Sequence, residues 1–171
     1  LPVDHLFVAS EYERARFLDI GMPAETVETT GCIFRYKELK LIDPDEKEKL
    51  RRELGLSPNK LTATLSLAFL AASNETLDVR RQLLEIVSKG LPDAYELLIK
   101  PHPAEQDKNF SKFVARYAPK AKIAPPMMAI DKILDVTSVL FNRGNSQVNI
   151  DALQRYIPVI PVPVGRKTFF H

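Results

Sequence analysis

A chain of 171 residues, 45% hydrophobic and 27% charged, has enough material for one substantial core and too little for two full nucleotide-binding domains. Its 24 Lys and Arg against 22 Asp and Glu leave a formal charge of +2, without the basic excess of a general nucleic-acid binder or a polybasic membrane anchor. A single cysteine, Cys32, excludes an intrachain disulfide and fits a reducing compartment, and the longest apolar run, near Leu61 to Ala72, is too short to cross a bilayer as a helix.

The opening Leu1-Pro2-Val3 lacks an initiator methionine and a signal segment, so a longer parent protein is expected. His5 to Ala9 predicts a short buried strand, Ser10 caps a helix over Glu11 to Leu18, and Gly21 closes it. Val27 to Gly31, β-branched before its glycine, predicts a second strand ending in a turn. These elements read as the last strand-helix-strand of an upstream unit, followed by a connector over 33–43. Asp43-Pro44-Asp45-Glu46 then predicts a capped helix over 44–54, with Leu50 and Leu54 one turn apart and Gly55 as its stop.

Residues 61–69 are compatible with a strand, and 76–88 with a helix whose apolar side is Leu77, Leu83, Leu84 and Val87. Tyr95 to Ile99 predicts a buried strand, stopped by Lys100-Pro101-His102-Pro103, where the prolines forbid either regular element. A helix over 108–117, a short edge strand over 121–124 and a helix over 128–134 follow. Thr137 to Phe141 predicts another buried strand, then a loop Asn142 to Ser146, a helix to Leu153 and a strand within 156–162. Alternation of strand and helix at this spacing predicts an α/β fold, a mostly parallel sheet with helices on both faces and right-handed crossovers.

In such a sheet the loops at the carboxyl ends of the strands converge on the ligand crevice. Two loops carry the polarity here: Lys100 to Pro103, and Asn142 to Ser146. Gly144 permits close backbone approach, Ser146 or Asn145 heads a helix whose first N–H groups can receive an oxyanion, and Arg143 or Lys100 can offset its charge. Each residue also has a plainer role: Gly144 and Ser146 can simply cap a helix, Arg143 can end a surface ion pair, and His102 can satisfy a carbonyl within its loop. Together they point to a phosphorylated ligand, with Asp151 on the following helix able to accept from ribose hydroxyls. His102 is assigned to binding before catalysis, and no catalytic residue is assigned.

The chain has no dinucleotide glycine fingerprint, no phosphate-loop lysine pattern and no elbow serine, which disfavours hydride transfer, the common triphosphatases and ordinary serine hydrolases. His5, His102 and His171 lack metal-ligand spacing, so no metal is expected.

Leu98-Ile99-Lys100-Pro101-His102-Pro103 and the segment Leu134 to Phe141 followed by Gly144-Asn145-Ser146-Gln147 to Ala152 resemble the carboxyl-terminal half of B-type, two-domain glycosyltransferases. The likeness is to bacterial polysaccharide and teichoic-acid transferases and to UDP-N-acetylglucosamine 2-epimerases, whose strand following the serine-bearing helix resembles Pro158-Val159-Ile160. It implies a Rossmann-like carboxyl-terminal half of a GT-B-like architecture, with 1–43 a remnant of the upstream domain plus the interdomain connector. Residues 44–171 would then be a nucleotide-sugar-binding domain whose carboxyl end is open to truncation.

The resemblance implies donor phosphates near His102 and Ser146, and the reading of the residues themselves adds Lys100, Arg143, Gly144, Asn145 and Gln147 to that site. Gln147 stands where the family often has a second serine, and Asp151 where it often has a ribose-binding glutamate. No cofactor is implied; the substrate would be a nucleotide-activated sugar or alditol. The expected function is the donor-binding part of a transferase in surface polysaccharide or teichoic-acid synthesis. A nucleotide-sugar 2-epimerase and a nonenzymatic assembly domain are the alternatives. The expected partner is the missing amino-terminal domain, through which the parent would associate peripherally with the cytoplasmic face of the membrane. No nucleic acid is expected, and the fragment alone is expected to bind donor without turnover.

Overall fold

The computed structural model describes residues 4–31, 42–68, 76–105, 107–143 and 146–164. The chain forms two compact units, Leu1–Glu38 and Leu39–His171. In the first, β1 (Leu6–Val8) and β2 (Val27–Thr29) pair in parallel, joined through α1 (Glu11–Asp19) and a 3-10 turn at Ala24–Thr26. Ser10 caps α1 by accepting the Glu13 N–H at 3.2 Å, and the Glu13 carboxylate returns to the Ala9 N–H at 2.8 Å. Arg14 fastens the helix to β2 by donating to the Val27 carbonyl at 3.0 Å. Cys32 and the connector residues 33–41 lie outside the described residues.

The second unit opens with α2 (Pro44–Glu53). Asp43 Oδ1 accepts the Asp45 and Glu46 N–H groups at 2.9 and 3.4 Å, and Pro44 occupies the first position, where a missing N–H costs nothing. Gly55, with φ +66°, reverses the chain while Leu56 N–H bonds the Arg51 carbonyl, which is the left-handed helix stop that glycine favours.

Five parallel strands then form one sheet: β3 (Leu61–Ser66), β4 (Tyr95–Lys100), β5 (Lys122–Ile123), β6 (Val139–Asn142) and β7 (Val159–Pro161), in the spatial order β5-β4-β3-β6-β7. The crossovers run through α3 (Leu77–Gly90), α4 (Phe110–Tyr117), α5 (Ile130–Val136) and α6 (Gln147–Gln154). The expected parallel α/β sheet is thus present.

Strand alternation divides the core. Leu65, Leu97 and Ile99 pack with Leu83, Leu84 and Val87 of α3 and Val114 of α4 on one face. On the other, Leu98 meets Leu50 of α2, Leu54 at its carboxyl cap, and Ile133 and Val136 of α5, while Leu140 meets Val148 and Ala152 of α6. Each aliphatic side chain so buried contributes about 1.5–3 kcal/mol, so the two faces hold the sheet's position firmly.

Several element ends differ from the sequence expectation by one to three residues, and the clearest case lies between α5 and β6. The strand expected from Thr137 starts at Val139, because Thr137 turns its hydroxyl back to the Ile133 carbonyl at 2.7 Å and closes α5, which runs two residues further than expected. The last strand, Val159–Pro161, lies within the expected 156–162; ahead of it Tyr156 takes a left-handed φ of 56° and Pro158 has no N–H to pair. No helix among the described residues is long and apolar enough to cross a membrane.

Candidate functional site

From the central strand β3 the chain moves outward through α3 to β4 and through α4 to β5, then returns through α5 to β6 on the opposite side of β3. Helices α3 and α4 cover one face, and α5 and α6 the other. The winding therefore reverses between β3 and β6, and the carboxyl ends of these strands diverge into a crevice at a topological switch point.

Register sets what stands at its floor. Ser66 pairs with Lys100, and Leu65 pairs with Phe141, so Ser66, Lys100 and Asn142 are level across three adjacent strands and face the same side. Lys100 and Asn142 are buried, and Ser66 is half-buried.

The loop after β4 is braced from within. Lys100 Nζ donates to the Pro101 carbonyl at 2.7 Å and to the Pro126 carbonyl at 2.8 Å, joining the segments that follow β4 and β5. Burial holds its ammonium below the ordinary lysine range. His102 is exposed, and its Nδ1 accepts the Ala104 N–H at 3.1 Å while its carbonyl accepts the Glu105 N–H at 2.9 Å.

The loop after β6 carries Arg143, half-buried, whose Nε donates to the Val164 carbonyl at 3.4 Å. Gly144 and Asn145 lie outside the described residues. Ser146 is exposed and heads α6 in extended backbone conformation; unlike Ser10, Asp43 and Thr76, which cap α1, α2 and α3, it makes no side-chain cap bond, as Asn109 and Ala129 make none at the starts of α4 and α5. Its carbonyl accepts the Asn149 N–H at 3.0 Å, so the backbone alone begins the helix. One turn on, Gln147 Nε2 donates weakly to Asp151 Oδ1 at 3.4 Å, which brings the expected phosphate-side and ribose-side residues together.

Chemically, the first N–H groups of α6 lack partners inside the helix and carry the positive end of its dipole, a setting that favours an anion. His102 stands at the end of β4 and Arg143 at the end of β6, the two strands flanking β3. Among the described residues no three His, Cys, Asp or Glu side chains cluster as metal ligands.

Arg80 was not singled out from sequence. It is 2% exposed on α3 and donates to Glu105 Oε2 and to the Ala68 carbonyl, each at 2.7 Å, with its guanidinium 5.6 Å from the Phe110 ring centroid. Its signal lay in helical spacing: Arg80, Leu83, Leu84 and Val87 form one inward stripe, an arginine where an aliphatic residue is ordinary. Ser66 falls inside the strand expected over 61–69, and its place beside Lys100 needs the register.

No family model matches the chain, and no curated protein matches it. Among solved structures it is similar to HepE from Anabaena in complex with UDP and glucose, at 15% identity and TM-score 0.63, over 95% of this chain and 45% of that one. It is similar to MnaA from S. aureus with UDP, at 11% identity and TM-score 0.67, over 96% and 43%. A glycosyltransferase from Rickettsia africae is similar at 13% identity and TM-score 0.68, over 95% and 45%. The chain thus spans less than half the length of these proteins. At such identities the likeness speaks to architecture alone: the chain has an α/β Rossmann-like fold, a parallel sheet flanked by helices, shared with these proteins.

Proposed function

We propose that this chain is the donor-binding part of a transferase that moves a sugar or an alditol phosphate from a nucleotide-activated donor, in the synthesis of a surface polysaccharide or teichoic acid. The observation that carries the proposal is Ser146: it heads α6 beside the switch point with a hydroxyl not spent on the helix cap. A diphosphate there would meet the helix N–H groups and the Ser146 hydroxyl, with Arg143 offsetting charge and His102 contributing from the neighbouring loop. Gly144, Asn145 and Gln147 complete the proposed phosphate site, and Asp151 would take the ribose. The part proposed for Lys100 is to hold the loop that carries His102, since its ammonium is engaged by two carbonyls. UDP is the first nucleotide to try, because two of the similar structures contain it.

In this proposal the first unit and the connector are the end of an upstream domain that supplies the acceptor site and the catalytic base. The parent enzyme would work in the cytoplasm at the inner face of the membrane, and the chain alone would bind donor with little turnover, because transfer needs a positioned acceptor and a group to take its proton.

Calorimetry of the chain with UDP, CDP, GDP and their sugar or alditol derivatives tests this directly. One nucleotide is expected to bind, and Arg143→Ala and His102→Ala are each expected to weaken it by about tenfold, the worth of one charged hydrogen bond. Arg143→Ala should also flatten the dependence of affinity on salt. Unchanged affinity in both variants rejects the site, and a folded chain that binds no nucleotide but captures a reproducible protein partner favours an assembly domain.

A further inference from the structure

Arg80 is a costly residue to bury. Its guanidinium has left water for an inward position on α3, and a pair of buried charges is often no more stabilising than apolar residues filling the same volume. What the charge accomplishes is geometric, because its contacts fall on three segments around the crevice. Ala68 belongs to the segment leaving β3, Glu105 to the loop after β4, and Phe110 to the first turn of α4.

Glu105 carries the constraint onward. Its carboxylate, whose side chain is 7% exposed, is fixed by Arg80, while its own N–H closes on the His102 carbonyl at 2.9 Å. Within that turn the Ala104 N–H donates to His102 Nδ1 at 3.1 Å. A nitrogen that accepts a hydrogen bond presents a lone pair, so the neutral ring carries its hydrogen on Nε2. Nε2–H is a donor, as an anionic oxygen requires.

From this chain of contacts we infer that Arg80 and Glu105 are a positioning pair that holds the 102–105 turn, keeps His102 as the Nε2–H tautomer, and so presents a hydrogen-bond donor to a phosphate oxygen of a nucleoside diphosphate. The phosphate clause rests on the donor-binding proposal above; the tautomer clause does not.

The two clauses separate in one set of measurements on the whole chain. Long-range proton–nitrogen spectra of the histidine rings, taken at about pH 8.5 where an ordinary imidazole is neutral, report the tautomer, with His102→Gln assigning the signal. Amide exchange at Ala104 reports the bond to Nδ1. In the unmodified chain His102 is expected wholly as Nε2–H, with the Ala104 amide protected. Glu105→Gln should release the Ala104 amide to the exchange rate of an open loop, move His102 toward the mixture of free imidazole, and weaken UDP binding by about tenfold. Because this variant leaves Arg80 buried without its counter-charge, the double variant Arg80→Met with Glu105→Gln, which buries no charge, gives the same readouts if the single one unfolds.

An Nδ1–H tautomer or an unprotected Ala104 amide in the unmodified chain overturns the inference, as do unchanged tautomer and protection in the folded variants. Spectra that respond as expected in a chain that binds no UDP support the positioning pair and remove the phosphate clause with the donor proposal.

Discussion

Thr64 donates its hydroxyl hydrogen to Thr137 Oγ1 at 2.7 Å, because the Thr137 hydrogen is committed to the Ile133 carbonyl at the same distance. This chain ties the middle of β3 to the end of α5, and Thr64 stands in register between Leu98 and Leu140, which belong to two separate apolar clusters. Thr64→Val removes one donor and should lower stability by about 1 kcal/mol. Thr137→Val strands both the Thr64 hydroxyl and the Ile133 carbonyl and should cost about 2 kcal/mol. Denaturant unfolding should find the double variant less damaged than the sum, since the shared bond is lost only once.

Ser146→Ala should leave unfolding stability within about 0.5 kcal/mol of the unmodified chain, because no cap bond is lost. Thr76→Ala, which deletes a hydroxyl accepting the Val79 N–H at 3.2 Å, should cost about 1 kcal/mol by comparison. Thermal unfolding of the pair therefore qualifies Ser146→Ala as a clean probe: any loss of nucleotide affinity belongs to the ligand contact.

Lys100→Met keeps the length of the side chain and strips its donors from the Pro101 and Pro126 carbonyls. A loss of about 2 kcal/mol is expected from the stranded carbonyls, measured by urea unfolding. The salt dependence of nucleotide affinity should stay as it was, in contrast to Arg143→Ala, because the ammonium is directed to backbone carbonyls.

Asp135 supplies a pH signature. Burial raises its carboxyl above the ordinary 3.8, the neighbouring Asp131 adds to the shift, and Arg155 and Lys47 oppose it. The folded chain thus holds this proton more tightly than the unfolded chain, so stability falls as pH rises from 3.8 through the folded value. Asp135→Asn has no proton to lose there. The stability difference between the variant and the unmodified chain should move in the variant's favour across that interval and then level off, read from urea midpoints at successive pH values.

Much of the architecture was legible residue by residue. The buried runs at Tyr95–Ile99 and Val139–Phe141, the Asp43-Pro44 helix start, Gly55 as its stop and the proline-bounded His102 loop all depend on local sterics and on the period of apolar side chains, which neighbouring positions display directly. The location of the candidate loops at strand carboxyl ends follows from the same pattern, once the strands run parallel.

Tertiary structure alone decided what several polar side chains do. Lys100 reads as the first residue of a polar loop, yet pairing with Ser66 sets it level with β3, and strand alternation turns it to the α5 side, where the Pro126 carbonyl waits. Arg80 reads as one more charge on a helix until packing brings the Ala68 carbonyl and Glu105 to it. Ser146 reads as a cap, and only its side-chain geometry separates it from Ser10 and Thr76. Local pattern determines which residues form strands and helices because the energies involved act between near neighbours in the chain. The partner of a buried polar group is set by register and crossover, which bring together residues far apart in sequence, such as Lys100 and Pro126, 26 residues apart.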